Sequence, residues 1–354
     1  MSRYLSEKYN MLEPYTPGEQ PKDMKYVKLN TNESPFPPSL KAQKAAAAAI
    51  ERLQLYSDPE CTPLVKMITE VYGIEKEEVL FSNGSDECLN FAFMAYCDAE
   101  HPAAFADITY GFYPVFAQIN RIPYTEIPLK EDFSIDIQDY KNIKKTIFIA
   151  NPNAPTGIVL TCSQIEEILI SNPDNVVVID EAYVDFGAQS CVPLIHKYSN
   201  LLVMQTFSKS RSMAGARLGF AIGCKELIAD LNAIKYSTNP YNVNSMTIAA
   251  GVGALQDEEY RMQNCRTIQE NRSYTVKELK KMGFTMTDSM ANFIFVTHPA
   301  ISGEELYLTL KSRGVLVRHF SKSRICEYNR ITIGTREQMD ILLENIRDIL
   351  KNRQ

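Results

Sequence analysis

Neither a metal centre nor a disulfide framework has support in this chain. Its eight cysteines (Cys61, Cys88, Cys97, Cys162, Cys191, Cys224, Cys265 and Cys326) lie far apart, form no CxxC pair and do not cluster with the four histidines. Dispersed thiols of this kind fit a reduced, cytosolic protein. No stretch reaches the roughly 18 uninterrupted apolar residues of a membrane span, and the opening MSRYLSEKYN carries no apolar signal core, so neither membrane insertion nor export is expected. No dense Lys/Arg cluster is present; 37 basic against 43 acidic residues leave a net charge of −6, with a pI near 5.5. That balance argues against nucleic acid or an anionic membrane as the main partner and leaves small molecules.

What is present is enough chain for a large core. With 354 residues, 45% of them hydrophobic, and no low-complexity tract beyond Ala45 to Ala49, two lobes are expected. Short buried-type strands alternate with helices, which predicts an α/β protein whose sheet is mostly parallel and wrapped by helices. The strands fall near 79–81, 103–107, 146–150, 176–180, 201–205 and 218–222. Helices are expected near 39–54, 59–72, 88–96 and 163–170. PYNVN at 240–244 breaks the pattern before an Ala/Gly-rich helix and a long charged one, and the lobe boundary is placed there. The last hundred residues read as a small mixed-sheet lobe, and the first 38, polar and proline-rich, as an arm.

Two stretches carry chemistry. In 206–220, TFSKSRSMAGARLGF, the hydroxyls of Thr206 and Ser208 precede Lys209, and Arg217 follows eight residues later. Two hydroxyls and a guanidinium can hold a phosphate beside an amine, the combination that pyridoxal phosphate requires. Taken by itself the string also suits a solvated polar loop. In 176–183, VVVIDEAY, a branched aliphatic run leads straight into Asp180, as in a buried parallel strand with its functional end open. There Asp180 can pair with a protonated pyridine nitrogen and Tyr183 can donate to the ring's phenolate oxygen.

A third stretch, SNGSDE at 82–87, places a glycine before a new helix, so Ser85 and the amides of Asp86 and Glu87 can take the cofactor phosphate, with Asp86 expected to cap the helix. Arg318 and Arg330, on strands of the small lobe, present planar forks suited to a carboxylate or phosphate, or to structural ion pairs.

Together with LNTNESPFPPS (29–39), YSDPEC (56–61), NPNAPTG (151–157) and RITIGT (330–335), these motifs resemble, over nearly the whole chain, the fold-type I aspartate-aminotransferase-like enzymes that use pyridoxal phosphate, and most nearly the branch acting on histidinol phosphate. The resemblance implies a large lobe (39–245) with a mostly parallel seven-stranded sheet, a small α+β lobe (246–354) and an arm (1–38) packed on the small lobe and the partner of a homodimer. It implies that Lys209 bonds the cofactor and moves the proton, that Tyr110 stacks on the pyridine, and that Tyr56 reaches the partner subunit's cofactor phosphate. Tyr15, Arg318 and Arg330 would hold the substrate's anion. The substrates would be histidinol phosphate and glutamate, with imidazole acetol phosphate and 2-oxoglutarate as their keto counterparts. An asparagine that the family places just before Pro-Thr-Gly is Ala154 here, so Asn153 is expected to supply the ring-oxygen contact, or Tyr183 to carry it alone. The same motifs leave room for an aromatic aminotransferase, a threonine-phosphate decarboxylase or a non-catalytic regulator.

Overall fold

A computed structural model describes residues 2–10 and 12–352. In chain order the large lobe begins with α1 (Leu40–Ala49), α2 (Thr62–Tyr72), β2 (Val79–Ser82), α3 (Ser85–Tyr96), β3 (Ala103–Ala106), α4 (Phe112–Asn120) and β4 (Tyr124–Ile127). It continues with β5 (Thr146–Ala150), α5 (Cys162–Ser171), β6 (Val177–Asp180), β7 (Leu201–Thr206), β8 (Gly219–Gly223), α6 (Lys225–Thr238) and α7 (Ser245–Leu255). The small lobe takes β1 (Val27–Lys28) from the arm and adds α8 (Glu258–Lys281), β9 (Thr285–Met286), β10 (Phe293–Thr297), α9 (Gly303–Ser312), β11 (Val315–Leu316), β12 (Arg318–His319), β13 (Asn329–Thr332) and α10 (Arg336–Lys351).

The central sheet has seven strands in the order β2-β8-β7-β6-β5-β3-β4, and only β8 opposes its neighbours. Apart from the edge strand β4, whose Tyr124 and Glu126 are exposed, both faces are covered, which is why the strands read as largely apolar runs. Within β6 the pleat divides the run: Val177 and Ile179 enter the core on one face, and Val178 enters the core on the other. Asp180 therefore shares the Val178 face, and Glu181 falls on the opposite side. The carboxyl ends of β2, β3, β5, β6 and β7 all open on one edge of the sheet, where Ser85, Tyr110, Asn151, Asp180 and Lys209 follow them.

Local sequence accounts for most boundaries. Ser39 Oγ accepts from the Ala42 N–H at 3.2 Å and starts α1, and Gly73, at φ 67°, ends α2. The α7 helix buries Ile248, Ala250, Ala254 and Leu255 in the core of the central sheet and lies tight on α1, where a Cβ on Gly253 would come within 2.6 Å of the Lys41 carbonyl oxygen. One expectation shifts. The helix expected at 88 starts at Ser85, and its N-cap position is Gly84, not Asp86. Gly84 sits at φ 78°, a conformation that costs glycine little, and a Cβ there would meet the Arg217 guanidinium at 2.4 Å.

In the small lobe β12, β13, β10 and β9 form an antiparallel sheet, while β1 pairs with β11 in parallel. Leu29, next to β1, is buried in the small-lobe core, so that end of the arm is stitched down. The aromatic ring of Tyr15 lies on Phe112 of α4, at 4.2 Å between centroids, carrying the arm back over the large lobe.

Candidate active site

Two adjoining cavities meet at Lys209. The inner one, about 410 Å³, is lined by Ser85, Asp180, Thr206, Ser208 and Arg217; the outer, about 810 Å³, by Tyr15, Tyr307, Arg318, Lys322 and Arg330. Tyr110, Ala154, Tyr183 and Lys209 face both. Lys209 Nζ lies 3.4 Å from the Thr31 carbonyl oxygen and 5.5 Å from the Tyr183 ring centroid. Among the described residues no carboxylate forms an ion pair with it, so its amine faces space rather than a counterion.

The loop carrying Lys209 is fastened on both sides. Ser210 donates to Asp185, Arg211 bonds Glu258, and Arg261 of α8 joins Asp185 at 2.8 Å to Glu258 at 2.7 Å. These charges close a partly buried ring between the segment after β6, the lysine loop and α8. Thr206 and Ser208 bond one another at 3.0 Å, and both are buried at the rim of the inner cavity.

Asp180 is buried, with Tyr113 Oη donating to its Oδ2 at 3.2 Å and the Ala182 N–H to its Oδ1 at 3.1 Å. Burial pushes its carboxyl up to about 6, against the pull of those donors, so the site is short of a cation. Glu181, on the other side of the strand, lines neither cavity; it accepts from the Cys191 N–H (2.6 Å), Ser190 Oγ (2.7 Å) and Gln205 Nε2 (2.8 Å), and burial raises it to about 7.

At the start of α3, Asp86 turns its carboxylate onto Tyr110 Oη (2.6 Å) and Arg217 (2.9 Å), joining three of the expected residues in one network. Glu87 turns away, accepting from the Asn83 N–H and from Asn242, so only its backbone can serve the cavity. Burial beside Asp86 raises the Tyr110 phenol well above its usual range.

Asn153 does not reach the site. Its amide nitrogen donates to the Ile108 carbonyl oxygen (3.0 Å) and Thr156 (3.1 Å), its oxygen accepts from Thr109 (2.7 Å), and it lines neither cavity. All its polar atoms are spent in holding the 151–157 turn. Ala154 faces the cavities with a methyl group, and Tyr183 lines both of them beside it. Tyr56 also lies outside both cavities of its own chain, 84% exposed and stacked on Tyr241.

On the outer cavity, β12 and β13 pair Arg318 directly opposite Arg330. Arg318 donates to the Thr16 carbonyl oxygen at 3.3 Å and Arg330 to that of Asn30 at 3.0 Å, and Arg330 Nε is sealed from solvent without a partner among the described residues. Among the described residues neither guanidinium has a carboxylate within 4 Å. Cross-strand like charges repel, and burial lowers the Arg330 guanidinium from its usual value. Such a pair leaves positive charge unbalanced on the outer cavity, unlike two structural ion pairs.

Sequence reasoning weighs Tyr113 only as a core tyrosine that could be taken for Tyr110, three residues before it, and misses its bond to Asp180. It also passed over Asn32, whose Nδ2 donates to Tyr183 Oη at 3.0 Å. Asn32 lies inside the quoted LNTNESP motif, but its partner is 151 residues away. The assembled set fits pyridoxal phosphate: an amine without a counterion, a hydroxyl and guanidinium cup at a helix start, and a buried carboxylate needing a cation.

The sequence matches the family described as aminotransferase class I and II over residues 24–346. It is 51% identical to the histidinol-phosphate aminotransferase of Brachyspira hyodysenteriae, with 99% of this chain and 100% of that protein covered. Among solved structures, the histidinol-phosphate aminotransferase of Clostridium acetobutylicum superposes with a TM-score of 0.85 at 24% identity (92% of this chain, 99% of that one). That of Sinorhizobium meliloti in complex with pyridoxal-5'-phosphate gives 0.84 at 21% identity, with 92% of each covered.

Proposed function

This chain belongs to the class I and II aminotransferases, and on that premise we propose that it moves the amino group of histidinol phosphate, or of glutamate in the reverse sense, as a histidinol-phosphate:2-oxoglutarate aminotransferase of histidine biosynthesis. The observation that carries the reading is the cross-strand pair Arg318 and Arg330, two guanidiniums on one cavity with no carboxylate of their own among the described residues. Histidinol phosphate has no carboxylate, so its phosphate supplies the anion; glutamate supplies a carboxylate to the same forks.

The cofactor is pyridoxal 5'-phosphate, which when bound supplies the electron sink that eases loss of the substrate's Cα proton. Thr206, Ser208, Arg217 and the amides opening α3 would hold its phosphate, Asp180 the proton on its ring nitrogen, and Tyr183 its ring oxygen, with Tyr110 against its ring. Lys209 would anchor the aldehyde and then, its Nζ released, take the proton from the substrate carbon and return it one position along. Tyr15, half-exposed on Phe112 at the outer cavity, would add a hydroxyl to the substrate's phosphate. Tyr56, exposed near Leu53 and Leu55 in the segment between α1 and α2, would serve the partner's site in a cytoplasmic homodimer.

Side-by-side turnover of histidinol phosphate, phenylalanine and threonine phosphate with 2-oxoglutarate tests the reading. The highest kcat/KM is expected for histidinol phosphate. A preference for phenylalanine would make the chain an aromatic aminotransferase, and release of carbon dioxide from threonine phosphate would make it a decarboxylase.

A further inference from the structure

The wall of the inner cavity beside the 151–157 turn is poor in donors. Ala150, Pro152 and Ala154 give it hydrocarbon, the buried Asn153 is turned away from the cavity, and Tyr183 packs against the Ala154 cluster with its hydroxyl as the polar group of that wall. A phenol both donates and accepts, so the direction of its proton depends on its neighbours. Lys209, over the Tyr183 ring, and Arg330, whose Cζ lies 5.5 Å from the ring of Phe293 that meets Tyr183 edge-on, cannot accept a proton from it while charged, and the carboxylates of the inner cavity are engaged elsewhere, Asp180 by Tyr113 and the Ala182 N–H, Asp86 by Tyr110 and Arg217, and Glu33 by Lys28 and Thr31.

Asn32 settles the direction. Its Nδ2 donates to Tyr183 Oη at 3.0 Å, and an amide nitrogen cannot accept, so the phenol proton cannot point back along that contact. The amide cannot flip without loss. Thr332 Oγ1 accepts the Asn32 backbone N–H at 3.0 Å and so has its own proton to give to Asn32 Oδ1, also at 3.0 Å. The backbone is held as well: Asn32 is buried at φ 55°, a left-handed conformation that asparagine tolerates better than most, and its carbonyl oxygen accepts from Asn292 at 3.1 Å. Thr332, Asn32 and Tyr183 thus form a chain of donors running in one direction, out of the small-lobe sheet and into the cavity.

We propose that Asn32 is a positioning residue which, locked by Thr332, aims the Tyr183 hydroxyl proton at the ring oxygen of bound pyridoxal phosphate, so that one phenol does alone what the Ala154 wall cannot assist. The inference rests on the role given to Tyr183 above. Its test is the pH titration of the absorbance of the bound cofactor, in holoenzyme without substrate. A donor on the ring oxygen favours the form in which that oxygen bears its full negative charge, so losing the donor moves the midpoint upward.

Tyr183→Phe sets the scale, a rise of about one pH unit for one charge-assisted hydrogen bond. Asn32→Asp, nearly isosteric, can only accept and draws the phenol proton back; it should raise the midpoint by at least half the Tyr183→Phe shift, and by nothing further in the Tyr183→Phe background. Thr332→Val should shift it in the same direction and Thr332→Ser restore it, which keeps the test open if Asn32→Asp melts early. A shift of equal size in the Tyr183→Phe background would assign the effect to the added charge and overturn the proposal. If Tyr183→Phe moves the midpoint and neither Asn32→Asp nor Thr332→Val does, the proposal fails alone; if Tyr183→Phe moves nothing, the role of Tyr183 fails and takes the proposal with it.

Discussion

Replacing Arg330 by leucine should damage catalysis severely and leave the fold intact or slightly firmer. Among the described residues the guanidinium has one hydrogen bond, to the Asn30 carbonyl oxygen, and an Nε that is sealed from solvent without a partner, and it faces Arg318 across the strand pair. An unsatisfied buried donor costs about 1–3 kcal/mol, whereas a net hydrogen bond contributes about 1 kcal/mol, so the free protein gains on the order of 1 kcal/mol when both are removed. Over a chain of this size that amounts to a rise in Tm of about 1 °C. Against this, a fork holding phosphate or carboxylate through two charge-assisted bonds supplies roughly 3–6 kcal/mol, which is about two to four powers of ten in kcat/KM. Both half-reactions should suffer, because both donors present an anion to the same fork. Arg318→Leu should lose about ten- to a hundredfold for histidinol phosphate and less for glutamate, since a dianion gains more from a second cation than a monoanionic carboxylate does. The assay is steady-state kcat/KM for each donor, read alongside thermal melting. A loss under tenfold for Arg330→Leu, or a Tm lowered by more than about 5 °C, would show that the arginine is a structural partner and refute the anion reading.

Other outcomes follow from the same geometry. Asp180→Asn should weaken cofactor binding at least about tenfold more than Glu181→Gln, because only Asp180 faces the inner cavity; equal effects, measured by cofactor titration, would mean the β6 register is misassigned. In the cofactor-free protein the raised carboxyl of Asp180 binds its proton more tightly folded than unfolded. Its contribution to stability is therefore full below the unfolded value near 3.8 and falls by about 3 kcal/mol as pH climbs to about 6. Asp180→Asn should remove that part of the pH dependence of denaturant midpoints between pH 4 and 6, and an unchanged profile would exclude it. Lys209→Ala should fold, lose its cofactor on dialysis and turn over at least about a hundredfold more slowly; activity within tenfold of the parent would take Lys209 out of the chemistry. Mixing Lys209→Ala with Tyr56→Phe under subunit exchange should restore activity towards about a quarter of the parent's, one sound site in each mixed dimer. Absence of rescue with exchange demonstrated would count against a shared site.

Sequence alone determined what depends on local pattern. The apolar run into Asp180 marked a strand buried on both faces because only such a strand can be apolar throughout, and its end had to open at the sheet's edge. The spacing of Thr206, Ser208, Lys209 and Arg217 placed hydroxyls, amine and guanidinium within one turn-and-loop segment, where chain connectivity itself keeps them close. What depended on contacts between distant residues was decided by the tertiary structure. Asn153 and Ala154 are adjacent in the chain, yet which of them faces the cavity followed from Ile108 and Thr109, more than forty residues away, claiming the Asn153 amide. Gly253 lets α7 sink onto α1, a close approach that no periodicity announces. Arg318 and Arg330 could equally have been ion-paired; the antiparallel register of β12 and β13 set them opposite one another with no acid between them. Asn32 drew no notice because a lone asparagine in a proline-rich arm has no pattern of its own. Its function comes from Thr332 and Tyr183, brought to it from 300 and 151 residues away, and the direction of a hydrogen bond exists only once both of its ends are in place.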